Sequence, residues 1–503
     1  MQTRGKKFII NSGLSLTQQM VTMICGLILP QLVLITFGSK VNGTIASISQ
    51  FVSFITLLQG GVGTVARIAF YKALASGKQD TISIAYKTIS DFFKKFSIIF
   101  LIYLLGLSIV FPLIIKTGFD FFYISTLVLI LGLASIFEYF FGQTSQMLLF
   151  SAQQGYVYSL VQIICTVLST IIGVCLIQMG CTIHIVKFAS AIFFIIRPLV
   201  LHFIVSKKYE IKKGVTKSKK LLKQRNAALV RHIAFYIHTS TDVMVLTLFS
   251  NVLWVSVYAV HRYVNSSLSG LVTSVLGNTE VVFGDIIARN DYNEMRKQVP
   301  IYDLFSKILS GSCFFTCIIL ISQFISVYTK KVTDINYYHP LFATILVLAE
   351  MIYCMGLTYQ NVYIAAGHVK QTQGITIIEA CLNLGISISL VGYLGIIGVA
   401  IGTLVAMTYT SVANIIYMKR HVFNMSFKFI LKSYIVNLLP GVIITYLFRT
   451  IFYYKVDNFA QFFLYGLVVF AIVTFFIIVT NLLFFRSEMK EVIEIFRKKI
   501  LKR

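Results

Sequence analysis

Long apolar runs recur along the whole of this 503-residue chain, and they constrain its fold more than any other feature. A run of about 20 apolar residues can cross a bilayer as a helix, because a helix satisfies its own backbone hydrogen bonds where water is absent. Only 12% of the residues are charged, against about 25% in a soluble domain. The sequence therefore predicts an all-α polytopic membrane protein and excludes a soluble enzyme.

Fourteen of these runs are predicted to be membrane spans. The first is too long for the apolar region of a signal peptide, which has about 7–15 residues, so we interpret it as a retained span. The predicted spans are 8–37, 43–70, 96–115, 121–150, 156–179, 183–205, 229–249, 252–283, 304–328, 341–366, 375–393, 396–417, 429–448 and 459–485.

The basic residues predict the orientation. Lys and Arg outnumber Asp and Glu by 44 to 18 and concentrate in alternate loops, most densely at 207–225 and in the C-terminal tail. Cytoplasmic loops carry such an excess, which predicts that both termini are cytoplasmic. Because the charges punctuate apolar runs, we expect no nucleic-acid partner. The intervening loops carry only Lys40, Lys116, Lys330, Lys331, Arg449 and Lys455.

An internal repeat is indicated when the chain is aligned with itself. The shift that places Phe70 on Phe283, which we call the repeat shift, also places the small-residue turn 151–155 on 364–368. It predicts two pseudo-symmetric six-helix lobes, 1–205 and 229–418, joined by a basic linker, 206–228, around a central cavity. Residues 419–503 would form an accessory helix pair and a basic tail. The alternative is that any two six-span blocks with short loops can be slid into partial agreement.

Six charged residues lie well inside the predicted spans, where insertion costs about 2.5–3.5 kcal/mol each, so they are expected to face a cavity or one another. Guanidinium suits a diphosphate because its planar fork donates in pairs and keeps its proton. The alternative is that Arg67 reaches the cytoplasmic headgroups and that Arg262 only pairs with Asp242. The candidates for substrate binding are Arg67, Arg197 and Arg262; the candidates for a coupling ion or a salt bridge are Glu138, Asp242 and Glu350.

Motifs for other chemistry are absent from the sequence. We find no Walker-type loop, no metal-spaced His/Cys cluster and no Gly-x-Ser-x-Gly elbow, so neither a metal nor a cofactor is expected. The outward loops are short, the longest being 329–340, which leaves little room for an extracytoplasmic catalytic domain. These features favour a transporter over an enzyme.

The sequence resembles the bacterial polysaccharide flippases of the multidrug/oligosaccharidyl-lipid/polysaccharide exporter superfamily. The resemblance covers most of the chain and identifies the superfamily better than the glycan. It is carried by Asn11, Gly26, Pro30, Gly38, Asn42-Gly43, the segment Ser-Ile-Ser-Gln-Phe at 47–51, the segment Leu-Leu-Gln-Gly-Gly-Val-Gly at 57–63, Arg67, Tyr71-Lys72 and the segment Phe-Tyr-Ile-His-Thr-Ser-Thr-Asp at 235–242.

This resemblance implies alternating access and movement of an undecaprenyl-diphosphate-linked oligosaccharide across the inner membrane, for cell-surface polysaccharide biosynthesis. It implies that the cavity arginines receive the diphosphate and that the accessory pair helps to accommodate the lipid tail. It also implies assembly with a polysaccharide polymerase and glycosyltransferases, beside membrane lipids. Two alternatives remain: a multidrug or cation antiporter of the same superfamily, and a membrane glycan polymerase or ligase.

Overall fold

The computed structural model describes residues 4–59, 62–115, 117–212, 240–276, 279–289 and 291–492, and within these ranges the chain is helical without a strand. Most of the predicted basic linker, most of the predicted seventh span and the end of the basic tail lie outside the described residues. The chain forms two compact units, Met1–Ser256 and Val257–Arg503.

The first unit contains eight α-helices among its described residues. A 3-10 turn, Ile55–Gln59, follows α1, and a π turn, Glu138–Gly142, joins α4 to α5. The helices are α1 (Arg4–Phe54), α2 (Val62–Ala75), α3 (Gln79–Ile114), α4 (Phe121–Phe137), α5 (Gln143–Ser151), α6 (Gly155–Gln178), α7 (Ile183–Lys208) and α8 (Ser240–Phe249).

The second unit holds the remaining helices of the described chain, of which α9 begins just before the boundary at Ser256. They are α9 (Val252–Leu276), α10 (Thr279–Ala288), α11 (Tyr292–Tyr328), α12 (Pro340–Met355), α13 (Leu357–Ala365), α14 (Gln373–Leu394), α15 (Ile396–His421), α16 (Phe427–Thr450) and α17 (Phe459–Phe484).

Eleven segments of the described chain are long and apolar enough to cross a membrane, so the predicted count of fourteen is not confirmed. One of the eleven, Gly13–Leu57, would be about 67 Å long if straight, more than twice the hydrocarbon thickness. It is broken at Gly38, whose φ of 82° and ψ of 170° are not helical. The break follows Phe37, where the first predicted span ends.

Several predicted spans contain a local departure from the regular α-helix, although the bounds predicted for the fourth and tenth agree within one residue with the helical segments Phe121–Ser151 and Pro340–Ala365. In the second predicted span, α1 ends at Phe54, the 3-10 turn follows, and α2 begins at Val62. In the eighth, α9 ends at Leu276 and α10 begins at Thr279, and the two residues between them lie outside the described residues. The fourth is interrupted by the π turn, and the tenth by Gly356 between α12 and α13.

Two helix ends recur in step with the repeat shift. The shift places Ala75, where α2 ends, on Ala288, where α10 ends. It brings Ser151, where α5 ends, to within one position of Ala365, where α13 ends. Phe70 and Phe283, which define the shift, are both fully buried.

Candidate functional site

The first candidate site is an ion pair at the interruption between α4 and α5. Arg197 on α7 donates from Nη2 to Glu138 Oε2 at 2.7 Å and from Nη1 to Gln162 Oε1 on α6. The guanidinium also lies over the rings of Phe194, at 5.7 Å, and Tyr158, at 6.0 Å. The Arg197 side chain is only 14% exposed, so aromatic rings and polar partners enclose its charge.

The local sequence explains why Glu138 can reach α7. Glu138 begins the π turn, a geometry that occurs mostly inside α-helices and frequently at functional sites. A Cβ atom on Gly142 would lie 2.7 Å from Pro198 Cβ and 2.8 Å from Glu138 Oε1. Only glycine therefore leaves room for both the carboxylate and the approach of α7 at Pro198.

The second candidate site is a matching ion pair in the second unit. Arg262 on α9 donates from Nη1 to Glu350 Oε1 on α12 at 2.9 Å. The Arg262 side chain is 19% exposed and that of Glu350 is 5% exposed. Near Arg262 on the same helix, the fully buried Asn265 has a side-chain amide in which neither polar atom has a hydrogen-bond partner. The arginine remains accessible at its edge, while its carboxylate partner is enclosed.

The glutamates of the two pairs correspond in sequence position, whereas the arginines do not. The repeat shift places Glu138 on Met351, directly beside Glu350, but it places Arg197 of α7 on α15 and not on α9, which carries Arg262. Each pair carries no net charge, which lowers the cost of holding both groups at bilayer depth. An anionic ligand would have to displace a carboxylate to gain a full set of guanidinium hydrogen bonds.

The other predicted site residues occupy different surroundings. Arg67 lies on α2, beyond the interruption after α1, and is exposed, whereas Arg262 lies on α9 at a position that the repeat shift aligns with α1. Asp242 is buried in α8 of the first unit. His261 is buried beside Arg262, with Nδ1 at 2.9 Å from the carbonyl of Val257 and its ring against Phe342.

A fully buried ion pair on α11 was missed from the sequence. Lys307 Nζ donates to both carboxylate oxygens of Asp303 at 2.6 Å, to Tyr359 Oη at 2.9 Å and to Ser433 Oγ at 2.8 Å. These contacts join α11 to α13 and α16. The i,i+4 spacing of acid and base is the sequence signal for this pair. Because the predicted ninth span begins at residue 304, the pair lies at the edge of that span and was not counted among the charges inside the membrane.

A buried polar cluster on α14 and α15 was missed as well. Asn383 Nδ2 donates to Thr403 Oγ1 at 3.1 Å, and Glu379, one turn earlier on α14, is 3% exposed. Glu379 is an intramembrane acid by the same criterion that selects Glu350. Among the described residues, no three His, Cys, Asp or Glu side chains are grouped closely enough to hold a metal ion.

The last two helices form a long apolar groove with a volume of about 1070 Å³. Its lining runs from Lys428, near the start of α16, to Phe452, just past its end, and takes in Tyr465 and Phe484 of α17. The helices are tied together by Asn437 and Asn481, whose buried side-chain amides bond to each other at 2.9 and 3.4 Å. The groove is therefore built on a fixed helix pair.

The sequence matches no family model and no curated protein. The structure of a lipid II flippase MurJ, in an inward closed conformation, is similar with a TM-score of 0.71 at 18% identity, covering 96% of this chain and 100% of that one. The structure of an inward-facing multidrug resistance MATE family transporter of the MOP superfamily is similar with a TM-score of 0.63 at 12% identity, covering 81% of this chain and 97% of that one. The structure of a Vibrio cholerae MATE transporter is similar with a TM-score of 0.56 at 14% identity, covering 84% of this chain and 97% of that one.

These neighbours are flippases and transporters rather than enzymes. Their likeness extends over nearly the whole of each structure and concerns the fold, as the resemblance in sequence predicts. The chain is thus a multi-pass membrane protein with an all-α fold like that of the MurJ flippase and MATE transporter structures.

Proposed function

We propose that this protein is a flippase that moves a polyprenyl-diphosphate-linked oligosaccharide across the bacterial cytoplasmic membrane by alternating access. In this proposal both termini are cytoplasmic, and the transported lipid-linked oligosaccharide is used in cell-surface polysaccharide biosynthesis. The protein would work together with a polysaccharide polymerase and glycosyltransferases. Undecaprenyl diphosphate is the carrier that the sequence resemblance implies. The name of the lipid II flippase among the structural neighbours supports a substrate with a lipid tail.

The observation that carries the proposal is the groove along α16 and α17. α16 has 24 residues and is therefore about 36 Å long, which matches the roughly 30 Å of a bilayer's hydrocarbon core. The acyl chain of an ordinary phospholipid reaches through one leaflet only. A groove with an apolar lining over this length fits a polyprenyl chain, which is longer than one leaflet.

The diphosphate would be received by arginine. Arg262 is the stronger candidate, because its side chain is partly exposed and already makes one hydrogen bond to a carboxylate. A diphosphate offers several oxygens to the planar guanidinium fork, so it can take the place of the Glu350 carboxylate. The displaced Glu350 would then take up a proton or pair with a cation, which couples substrate binding to an ion.

Transport of the defined lipid tests the proposal. Proteoliposomes with the purified protein are given a fluorescent lipid-linked oligosaccharide in the inner leaflet, and its arrival in the outer leaflet is followed by quenching. We expect transport by the wild-type protein, none by Arg262→Ala, and partial transport by Arg262→Lys, which keeps the charge but loses the fork. Transport by Arg262→Ala at the wild-type rate would overturn the role of Arg262.

A multidrug antiporter is the second candidate, supported by the structural likeness to MATE transporters. The neutral ion pairs Glu138–Arg197 and Arg262–Glu350 offer a cationic drug no net negative charge. A drug-susceptibility panel on a deletion strain distinguishes the two functions. Hypersensitivity to cationic drugs with normal surface glycan would favour the antiporter, and loss of glycan with unchanged susceptibility would favour the flippase.

The polymerase or ligase alternative has a different product. In the same proteoliposomes, recovery of the lipid-linked oligosaccharide unchanged in mass supports transport alone. Lengthened glycan chains would instead show that the protein forms glycosidic bonds.

A further inference from the structure

The α16–α17 groove has one basic end. Lys428 and Lys432 lie one helical turn apart on α16, and both line the groove. They are exposed, as is Arg486 just beyond the end of α17. The opposite end is formed by apolar and aromatic side chains, including Phe452 and Tyr465. Charge is thus concentrated where one end of an amphipathic ligand would lie.

A second cavity adjoins the basic end. This space of about 500 Å³ shares Lys432 and Phe484 with the groove and is also lined by Phe429 and residues 483–488. Glu488 is its one acidic lining residue among those described, and it accepts a hydrogen bond from Ser487 Oγ at 2.5 Å. The apolar groove is therefore bordered at this end by a more polar surface with an excess of positive charge.

Lys432 is held in place at the junction of the two cavities. Its Nζ donates to the carbonyl oxygen of Phe484 at 2.8 Å and lies 4.7 Å from the centroid of the Phe485 ring. This carbonyl belongs to the last turn of α17, where no helical partner exists for it. An ammonium group has three N–H donors, so Lys432 keeps donors for a further ligand.

Two lysines four residues apart on one helix face repel each other, and an anion between them relieves this repulsion. Resting on the proposed function, we propose that the lysine end of the groove is a docking subsite for the phosphate of the polyprenyl carrier, with Lys428 and Lys432 as its ligands. The groove holds the isoprenoid chain of the same molecule. Arg486 adds positive charge at the mouth of the subsite.

This subsite differs from the one at Arg262 in place and in role. It lies on the accessory helix pair and, in the predicted orientation, at the cytoplasmic headgroup level. It would select lipids that carry both a phosphate and a chain long enough to fill the groove, before the glycan is moved. An ordinary anionic phospholipid has the phosphate but fills only part of the groove.

Lipid binding by the full-length protein tests the subsite. Purified protein in phosphatidylcholine nanodiscs is titrated with undecaprenyl monophosphate and, separately, with undecaprenol, which has the same chain without the phosphate. We expect tighter binding of the phosphate form, and a loss of about fivefold in affinity for each of Lys428→Gln and Lys432→Gln. Binding of undecaprenol should stay unchanged, which shows that the groove is intact.

Lys419→Gln is the matched control. Lys419 is near the same end of α16, where its Nζ lies 5.5 Å from the centroid of the Phe427 ring, but it does not line the groove. Its substitution removes the same charge and should leave undecaprenyl monophosphate binding unchanged. An equal loss in this variant would show a general effect of net charge and overturn the subsite.

Two further outcomes would overturn the proposal. One is equal affinity of the wild-type protein for undecaprenyl monophosphate and undecaprenol. The other is competition by phosphatidylglycerol as effective as that of undecaprenyl monophosphate, which would mark a general site for anionic lipids. Binding and flipping are separate measurements, so lysine-dependent binding without transport overturns the proposed function alone. Transport with lysine-independent binding overturns the subsite alone.

Discussion

At the scale of the residue, the sequence reveals which side chains are costly in a membrane but not how that cost is offset. Glu138, Arg197, Arg262 and Glu350 stand out because isolated charges at bilayer depth are expensive. Their pairing could not be predicted, because the partners are 59 and 88 residues apart in the chain. A hydropathy profile indicates how deep a residue lies in the membrane. It does not show which way the helix is rotated, and therefore which neighbouring helix the side chain faces.

The exposure of the two arginines leads to a prediction about Glu350. Glu350→Gln removes the charge that competes for Arg262, so binding of farnesyl diphosphate, measured by titration calorimetry in detergent, should strengthen about tenfold. Glu138→Gln is the matched control, since its partner Arg197 is enclosed by Gln162 and two aromatic rings. Weaker binding of farnesyl diphosphate by Glu350→Gln, or equally strengthened binding by Glu138→Gln, would contradict the role of Arg262 in binding the diphosphate.

The buried pair on α11 leads to a prediction about stability. Lys307→Ala leaves the Asp303 carboxylate buried without its cation, which should lower the free energy of unfolding by about 3–5 kcal/mol. The double variant Lys307→Met with Asp303→Leu should recover most of this loss, because no charge remains to be buried. Unfolding of the purified protein in detergent, followed by denaturant titration, measures both.

A second i,i+4 pair provides the control for that measurement. Lys95 Nζ lies 3.5 Å from Asp91 on α3, and its side chain is 75% exposed. Exposed pairs contribute little, so Lys95→Ala should leave the unfolding midpoint nearly unchanged. If Lys307→Ala had the same unfolding midpoint as Lys95→Ala, the α11 pair would contribute no more to stability than an exposed pair.

At the scale of the element, the apolar runs predict where helices occur but not where they are interrupted. A hydropathy profile does not distinguish a continuous helix from two helices joined by a π turn, because both are equally apolar. The interruption at 138–142 depends on tertiary contacts, namely the reach of Glu138 to Arg197 and the approach of Pro198 to Gly142. Such contacts become visible only when α7 is placed against α4.

Gly142 leads to a prediction about this interruption. Gly142→Ala would place Cβ within 2.8 Å of Glu138 Oε1 and Pro198 Cβ, so either the carboxylate or α7 must move, at a cost of about 1–3 kcal/mol. We expect a lower unfolding midpoint and slower transport of the lipid-linked oligosaccharide. Gly106→Ala on α3 is the control, because nothing lies within 4 Å of its added Cβ. If Gly142→Ala and Gly106→Ala lowered the unfolding midpoint and the transport rate equally, the close approach of α7 would not be the reason for a glycine at position 142.

At the scale of the whole molecule, the repeat shift inferred from two short matches agrees with the positions at which helices end in the two units. Phe70 and Phe283 are buried alike, and the same shift brings Glu138 to within one position of Glu350. The substrate could not be predicted from the sequence, because a substrate is recognised by side chains from many helices whose relative placement the sequence does not encode locally.

A close contact between α1 and the α8–α9 corner bears on the transport cycle. Asn42 Nδ2 donates to Ser256 Oγ at 2.8 Å, and the hydroxyls of Ser47 and Thr247 are also 2.8 Å apart. A Cβ atom on Gly43 would overlap the carbonyl oxygen of Val252, so the two backbones touch. In the predicted orientation this contact lies toward the outer end of the second span and joins the two predicted lobes, so the proposed alternating access requires that it separate.

Gly43→Ala should therefore hold this contact open. In a background whose eight native cysteines, all free, are replaced by alanine, Ser47→Cys with Thr247→Cys should form a disulfide that stops transport reversibly, because the hydroxyl positions are within bonding reach. Adding Gly43→Ala should lower the disulfide yield several-fold, since the added methyl group excludes the close approach. Gly13→Ala on the same helix, with nothing within 4 Å of its Cβ, should leave the yield unchanged. A disulfide that forms fully and leaves transport intact would mean that the α1 contact stays closed throughout the cycle.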